Sequence, residues 1–327
     1  MTELQPDSRF LRHPRFSRSY ALFKRISGKR RRAIAETRAL YAKTGLESKG
    51  CVNCKSTDFV LLCESDRFGF DLKKQYCNQC GLVQTYPSLP ADFHVEFYSS
   101  IYRGLYGGKR KVNYAAMMPN QEKRGREIAD FVSRSVGKEA LRQLNVYEIG
   151  CSCGGVLNGL KPLVASVSGC DLDIEGTRWG QENLDIDIQC KAMPEPGEAR
   201  TPTLYVLSHV LEHLADPLAS LQAIAAMMNA SDYLYVEVPG MNALRNGSYR
   251  HDLRRYFHIG HVTDFTQGTM TNITARAGFR ALEINEEVEG LFVLSPDGPS
   301  SPAKDDKDSL GNIADIEATR PRKFGIW

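Results

Sequence analysis

From Leu144 onward the chain alternates between short apolar runs and amphipathic stretches. Val146–Ile149, Val164–Cys170, Ile186–Cys190, Leu204–Leu207 and Tyr233–Val238 are aliphatic or aromatic runs bounded by Gly, Asp or Pro, and read as buried strands. Glu175–Asn183, Pro217–Met228 and Gln267–Ala277 carry helical spacing, with Gly278 as the stop after the last. Ala281–Asn285 and Leu291–Leu294 are late strands, and Asn120–Val136 is a helix with Ile128, Phe131 and Val132 on one side. Strands alternating with helices imply an α/β chain, a doubly wound and mostly parallel sheet covered on both faces.

Upstream the pattern changes. Residues 1–49 read as a basic, largely helical arm, in which Phe16, Tyr20, Phe23 and Ile26 recur at three- and four-residue spacing. Residues 50–90 exchange helical periodicity for Cys, Gly, Asn and Asp between short apolar runs. Residues 91–118 are rich in Tyr and Gly (Tyr98, Tyr102, Tyr106, Gly104, Gly107, Gly108), a composition suited to an ordered linker or lid. The α/β unit then spans 119–294. The segment 295–327 reads as a flexible tail, because Ser295–Asp306 is dense in Pro, Ser, Gly and Asp.

Hydrophobic residues make up 42 % of the 327 and charged residues 25 %, the balance of a soluble globular protein. No apolar run approaches the length of a bilayer span. Met1–Phe10 lacks the apolar stretch of a secretory leader, so a cytoplasmic setting is expected. In a reducing compartment nine cysteines are metal ligands or buried thiols before they are disulfides. Charge is uneven: the first fifty residues hold 13 Lys or Arg against 4 Asp or Glu, while the whole chain nets +3, so the remainder carries −6. Lys24-Arg25 and Lys29–Arg32 are the densest part. Such a run suits a nucleic-acid or anionic partner, or more simply a solvated helix packed on the domain.

Cys51-Val-Asn-Cys54 and Cys77-Asn-Gln-Cys80 form two C-x-x-C knuckles separated by 22 residues. Each knuckle delivers two sulfurs from one tight turn, and four thiolates complete the tetrahedron of a closed, structural zinc site. A module this small takes its folding energy from the metal. Cys63 lies off the pattern and reads as a small buried residue.

A second cluster lies in Val146-Tyr-Glu-Ile-Gly-Cys-Ser-Cys-Gly-Gly155. A buried strand runs into small residues and then a helix. Gly150 and Gly154 allow close approach of a ligand to the backbone, and Asp171 follows at the end of the next strand, where an acid receives ribose hydroxyls. The dinucleotide pattern G-x-G-x-x-G is not met, which favours a nucleoside over a pyrophosphate.

Glu148-Ile-Gly-Cys-Ser-Cys-Gly154 resembles motif I of the class I S-adenosylmethionine-dependent methyltransferases. Leu207-Ser-His-Val-Leu-Glu-His-Leu-Ala-Asp-Pro217 resembles their strand-four signature, Tyr235-Val-Glu-Val-Pro239 their next strand, and His258-Ile-Gly-His261-Val-Thr-Asp-Phe265 the element before their last helix. Cys77-x-x-Cys80-Gly-Leu-Val-Gln-Thr-Tyr-Pro87 resembles the zinc-binding domain that precedes this fold in sugar C-methyltransferases. The resemblance implies a Rossmann-like doubly wound sheet with a small N-terminal zinc-binding module, S-adenosyl-L-methionine and structural zinc as cofactors, and a nucleotide-linked or glycan-linked sugar as acceptor, methylated on carbon or oxygen.

On this resemblance Glu148, Gly150, Cys151, Gly154, Asp171 and Ser208 would hold the cofactor, with Asp173 the alternative ribose ligand. Loss of a proton from a hydroxyl, or from a carbon beside a ketone, needs a base, and His suits it near neutral pH. His261 is the first candidate, because it is the one retained member of the family's Tyr-x-Glu-His element. His209, at the end of strand four, is the second. Tyr98, Tyr102, Tyr106, Tyr256 and His258 are expected to line the acceptor site, while Glu212 and His213 fix the turn after strand four. A nucleic-acid methyltransferase using the basic arm, and a non-catalytic binding protein on the same fold, are the competing readings. Against RNA stand the helical spacing of the arm's aromatics and the acidic remainder of the chain.

Overall fold

The computed structural model describes residues 11, 14–16, 27–47, 49–106, 112–194, 202–303 and 309–320. In chain order its elements begin with α1 (Gly28–Lys43), β1 (Phe59–Cys63), β2 (Lys73–Cys77) and β3 (Val83–Tyr86). Then come α2 (Ala91–Glu96), a π-helical turn over Phe97–Ile101, α3 (Tyr102–Tyr106), α4 (Tyr114–Val136) and α5 (Lys138–Leu141). The α/β unit follows: β4 (Asn145–Ile149), α6 (Gly155–Leu160), β5 (Ser166–Cys170), α7 (Ile174–Leu184), β6 (Asp187–Gln189), β7 (Thr203–Ser208), α8 (Pro217–Met227) and β8 (Tyr233–Glu237). The chain closes with α9 (Leu253–Tyr256), β9 (Thr263–Asp264), α10 (Gln267–Arg276), β10 (Phe279–Ile284), β11 (Glu289–Leu294) and α11 (Ser309–Thr319).

The large sheet has seven strands in the order β10-β11-β8-β7-β4-β5-β6. The five strands from β8 to β6 run parallel, and β11 and β10 are antiparallel additions at one edge. This is the expected Rossmann-like arrangement. Alternation along β7 explains its two covered faces: Leu204 and Val206 pack toward Ile128, Phe131 and Leu160, while Tyr205 and Leu207 pack toward Leu221, Ile224 and Ile273. Each face supplies a separate apolar core, the condition under which a parallel sheet is stable.

The cysteine segment is no separate bead in front of this sheet. β1, β2 and β3 form a second, antiparallel sheet whose fourth strand is β9, supplied from beyond residue 260. Cys51, Cys77, Cys80 and Leu82 share one core with Leu211, Phe265 and Met270. Leu62, Cys63 and Val83 share another with Met241, Leu253, Tyr256 and Phe257. Residues 50–90 and the stretch between β8 and α10 therefore fold together as a cap over one end of the large sheet.

Two expectations are corrected here. The Tyr/Gly-rich stretch is helical over 91–106, because Phe93, Phe97, Ile101 and Leu105 recur at four-residue spacing and all are buried against α1. The tail is not wholly flexible: α11 buries Ile313 and Ile316 in the cap core. It is pinned by Arg15, whose guanidinium bonds Asp252 at 2.7 Å and Glu317 at 2.8 Å. The basic run is partly structural, since Arg30 donates to the carbonyls of Leu105 and Tyr106 at 2.8 and 3.0 Å, and Arg32 pairs with Glu36. Phe16 is buried in a short turn, while Tyr20, Phe23, Lys24, Arg25, Ile26, Gly107 and Gly108 lie outside the described residues. Among the described residues no helix is long and apolar enough to cross a membrane.

Candidate active site

Strand order reverses between β4 and β7, which opens a crevice at their C-terminal ends. The loop leaving β4 is built for close approach. Gly150 and Gly154 have φ of +79° and +78°, and a Cβ on either would lie 2.5 Å from Val210 or Ile188. A side chain at either position would be strained by the backbone and would crowd its neighbour. Gly150 and Cys151 donate to the carbonyl of Cys170 at 2.8 and 3.1 Å, and the amide of Ser152 donates to Asp171 Oδ2 at 2.7 Å. Asp171 Oδ1 accepts the amide of Asp173 at 2.7 Å, so this carboxylate ties the glycine loop to the end of β5. Tyr114 in turn donates to Asp173 Oδ2 at 3.1 Å. Cys151 and Cys153 are buried, small residues of the turn.

Glu148 is buried on β4, and its Oε2 has no hydrogen-bond partner. Burial first, then the charges of Asp171 and Glu237, push its carboxyl up to about 8 against the opposing Arg124. An unpaired buried carboxyl is costly unless a ligand answers it. On the neighbouring strand Ser208 donates to Glu237 Oε2 at 3.0 Å. His209 follows with a φ of +57°, an uncommon conformation for a residue with a side chain.

Beside this crevice is an open cleft of about 320 Å³, lined by Arg124, His209, Glu237, Tyr249, Glu287 and Glu289 among others. His209 is held between two carboxylates, with Nδ1 3.5 Å from Glu212 Oε1 and Nε2 3.4 Å from Glu237 Oε1. Burial pulls its pKa down, but the two carboxylates outweigh burial and raise it to about 9. Arg124 Nη1 reaches the same Glu237 Oε1 at 3.5 Å.

The other expected histidine sits deeper. The His261 side chain is only 5 % exposed, against 34 % for His209, and it is not among the cleft-lining residues. Its carbonyl accepts from Lys74 and Thr85 at 2.6 and 3.0 Å, which fixes it to the small sheet. Burial holds its ring down at about 4, with Asp264 opposing. None of the five expected acceptor-lining residues is among the residues that line the cleft; the rings of Tyr256 and His258 lie 5.7 and 3.8 Å from that of His261. Tyr98 bonds His213 and the Gly260 carbonyl, Tyr106 bonds His258, and Tyr256 donates to the Pro239 carbonyl. The Tyr102 ring lies tilted against its neighbours, 5.0 Å from Tyr98 and 4.6 Å from Tyr106. Burial raises the phenols of Tyr98, Tyr106 and Tyr256 well above their ordinary value, so they serve as neutral hydrogen-bonding groups.

The four cysteines meet. Cys51 and Cys80 sulfurs are 3.5 Å apart and those of Cys54 and Cys77 3.4 Å, and all four lie within 4.8 Å of one another. A zinc–sulfur bond of about 2.3 Å gives a tetrahedron edge near 3.8 Å, which this donor set fits. Cys63 is buried away from them, its thiol pushed up to about 11 by burial.

Reading the sequence missed Arg124 and Tyr249 altogether. Arg124 sits on a surface-looking turn of α4, and Tyr249 in a stretch without periodicity. Glu237 stood in a quoted motif without a role. The signal for it was its place one strand over from Ser208, with the two paired in register.

Residues 120–284 match the family model described as a methyltransferase domain. No curated protein sequence matches the chain. Among solved structures, DesVI of Streptomyces venezuelae is 15 % identical, with 57 % of this chain and 99 % of that one covered at a TM-score of 0.40. CalS10, an amino pentose methyltransferase from Micromonospora echinaspora, is 12 % identical over 61 % of this chain and 98 % of its own, at 0.41. The magnesium protoporphyrin IX methyltransferase ChlM of Synechocystis PCC 6803 is 16 % identical over 61 % and 97 %, at 0.40.

Proposed function

The chain belongs to the methyltransferase-domain family and is an S-adenosylmethionine-dependent enzyme, and from that premise we propose that it methylates a sugar, nucleotide-linked or glycan-linked, in the cleft beside β8. The observation that carries this reading is the juxtaposition of two unlike sites. One is a glycine loop beside the buried Glu148, one oxygen of which has no hydrogen-bond partner. The other is an adjoining polar cleft lined by Arg124, His209, Glu237 and Tyr249.

S-adenosylmethionine supplies an electrophilic methyl group. Gly150, Cys151 and Gly154 offer it backbone at close range, Asp171 receives the ribose hydroxyls, Glu148 faces the amino group, and Ser208 marks the methyl-bearing end. Glu237, Tyr249 and Arg124 orient an acceptor rich in hydroxyls. His209 is the catalytic histidine of this reading in place of His261, because it lines the cleft while His261 is enclosed by Tyr256, His258 and His213. A hydroxyl placed beside His209 and Glu237, on the cleft side of the pair, loses its proton to the Glu237 carboxylate, with the imidazole donating to the acceptor oxygen. Tyr98, Tyr102, Tyr106, Tyr256 and His258 form the rigid wall behind the cleft. Cys51, Cys54, Cys77 and Cys80 hold a structural zinc that locks the cap against α10. Residues 50–90 and 119–294 are thus a zinc-bearing cap and a catalytic unit sharing their cores.

The test is methyl transfer from radiolabelled S-adenosylmethionine to a panel of nucleotide-linked sugars, free glycans and RNA. Label in a sugar, lost in His209→Ala, supports the reading. Label in RNA alone would overturn it and restore the nucleic-acid alternative.

A further inference from the structure

Behind His209 the turn after β7 carries Glu212, one of the most enclosed carboxylates in the protein. Its side chain is 2 % exposed, and neither carboxylate oxygen has a hydrogen-bond partner. What surrounds it is imidazole. His213 Nε2 stands 3.6 Å from Glu212 Oε1, and one donor atom each from Glu212, His213 and His261 lies within 4.8 Å of the others. The three come from two segments held together by backbone, for Val262 N donates to the Glu212 carbonyl at 2.7 Å.

The outer contacts match those of metal-binding histidines. A ligating imidazole gives its other nitrogen to a carbonyl or carboxylate, which fixes tautomer and ring orientation. His213 Nδ1 lies 2.5 Å from the Gly260 carbonyl and 2.8 Å from the Tyr98 hydroxyl, so its Nε2 lone pair is left facing Glu212. His261 Nδ1 faces Asp264 Oδ1 at 3.5 Å, and Asp264 is itself neutralised by Lys74 at 2.6 Å. Lys74 is thus committed to Asp264, and no lysine or arginine is paired with Glu212 at salt-bridge range among the described residues.

We propose that Glu212, His213 and His261 bind a divalent transition-metal ion of the zinc class, at a second metal site separate from the four cysteines. Two imidazoles and one carboxylate form a donor set that zinc accepts, and three protein ligands leave a coordination position open. Binding needs a contraction of the trio by about 1 Å, since ligand atoms at zinc bond lengths of about 2.0–2.1 Å stand closer than those here. The ion would answer both orphaned oxygens of Glu212 and sit directly behind His209, whose Nδ1 is 3.5 Å from the same carboxylate. The simpler possibility, a metal-free cluster in which protonated histidines balance Glu212, is the opposing outcome.

The test is metal analysis of the full chain after dialysis against buffered zinc, with Glu212→Gln as a near-isosteric partner and Cys54→Ser as the control for the other site. The proposal expects about two zinc per chain in the wild type and about one in Glu212→Gln. His261→Gln, a second variant, should also fall to about one. Cobalt reconstitution gives an independent readout on the wild type: one equivalent should show sulfur-to-cobalt charge transfer and a second should show ligand-field bands without it. One zinc in the wild type, or a second zinc undiminished in Glu212→Gln, would overturn the site.

Discussion

Glu148 is neutral in the folded chain up to about pH 8, whereas an exposed glutamate ionises near 4.5. Between those values the unfolded chain holds fewer protons than the folded one, so this residue's contribution to stability falls as pH rises through the window. The slope is at most about 1.4 kcal/mol per pH unit. Glu148→Gln removes that dependence. Urea unfolding near pH 5 and again near pH 8 should show the variant gaining on the wild type at the higher pH. A constant difference would mean that the carboxyl is already ionised in the fold. The histidines divide on geometry. His209→Ala should lower methyl transfer by roughly 100-fold, the usual cost of losing a hydrogen-bond donor aimed at the reacting oxygen, with cofactor affinity little changed. If single-turnover rates fall in His261→Ala and hold in His209→Ala, the chemistry lies deeper than the cleft. The position of His209 was legible as a strand end, but its left-handed backbone and its two carboxylate neighbours were not, because Glu237 lies 28 residues away in the chain.

At the level of elements, the strands of the large sheet were legible because each lies in a short run bounded by turn residues, mostly buried in the central strands β4, β7 and β8, and most ends fall within two residues of expectation. β9 was invisible: two residues, Thr263 and Asp264, become a strand only by pairing with Val83 and Gln84. The 91–106 helices were misread because glycines and tyrosines masked the four-residue spacing of Phe93, Phe97, Ile101 and Leu105. α11 shows the same limit, for Ile313 and Ile316 are too few to signal burial without the cap that receives them. Arg15 is what fastens that helix. Removing one partner of a buried ion pair strands the other charge, so Arg15→Ala should cost about 3 kcal/mol. It should also raise amide exchange in 309–319 before the large sheet loosens. Exchange unchanged in that segment would show that the apolar contacts hold α11 unaided.

For the molecule as a whole, the cysteine sheet and the methyltransferase unit stand or fall together. Cys51, Cys77 and Cys80 are part of the core that contains Met270 and Phe265. Cys54→Ser should therefore lower the melting temperature of the entire chain in one transition, by several degrees for each 2 kcal/mol lost. A separate early transition confined to residues 50–90 would show a detachable module instead. The four-cysteine donor set was legible from spacing alone, whereas the shared sheet was not, since nothing in the knuckles announces a strand supplied from beyond residue 260. In the proposed reading the glycine loop and Asp171 hold S-adenosylmethionine at the ends of β4 and β5, and calorimetric titration of the full chain with S-adenosylmethionine checks this placement. One cofactor per chain should bind, and Asp171→Ala should bind it more weakly by about 1.5–3 kcal/mol, the worth of hydrogen bonds to a charged group. Equal affinity in the two proteins, with the variant folded, would contradict the placement of the cofactor.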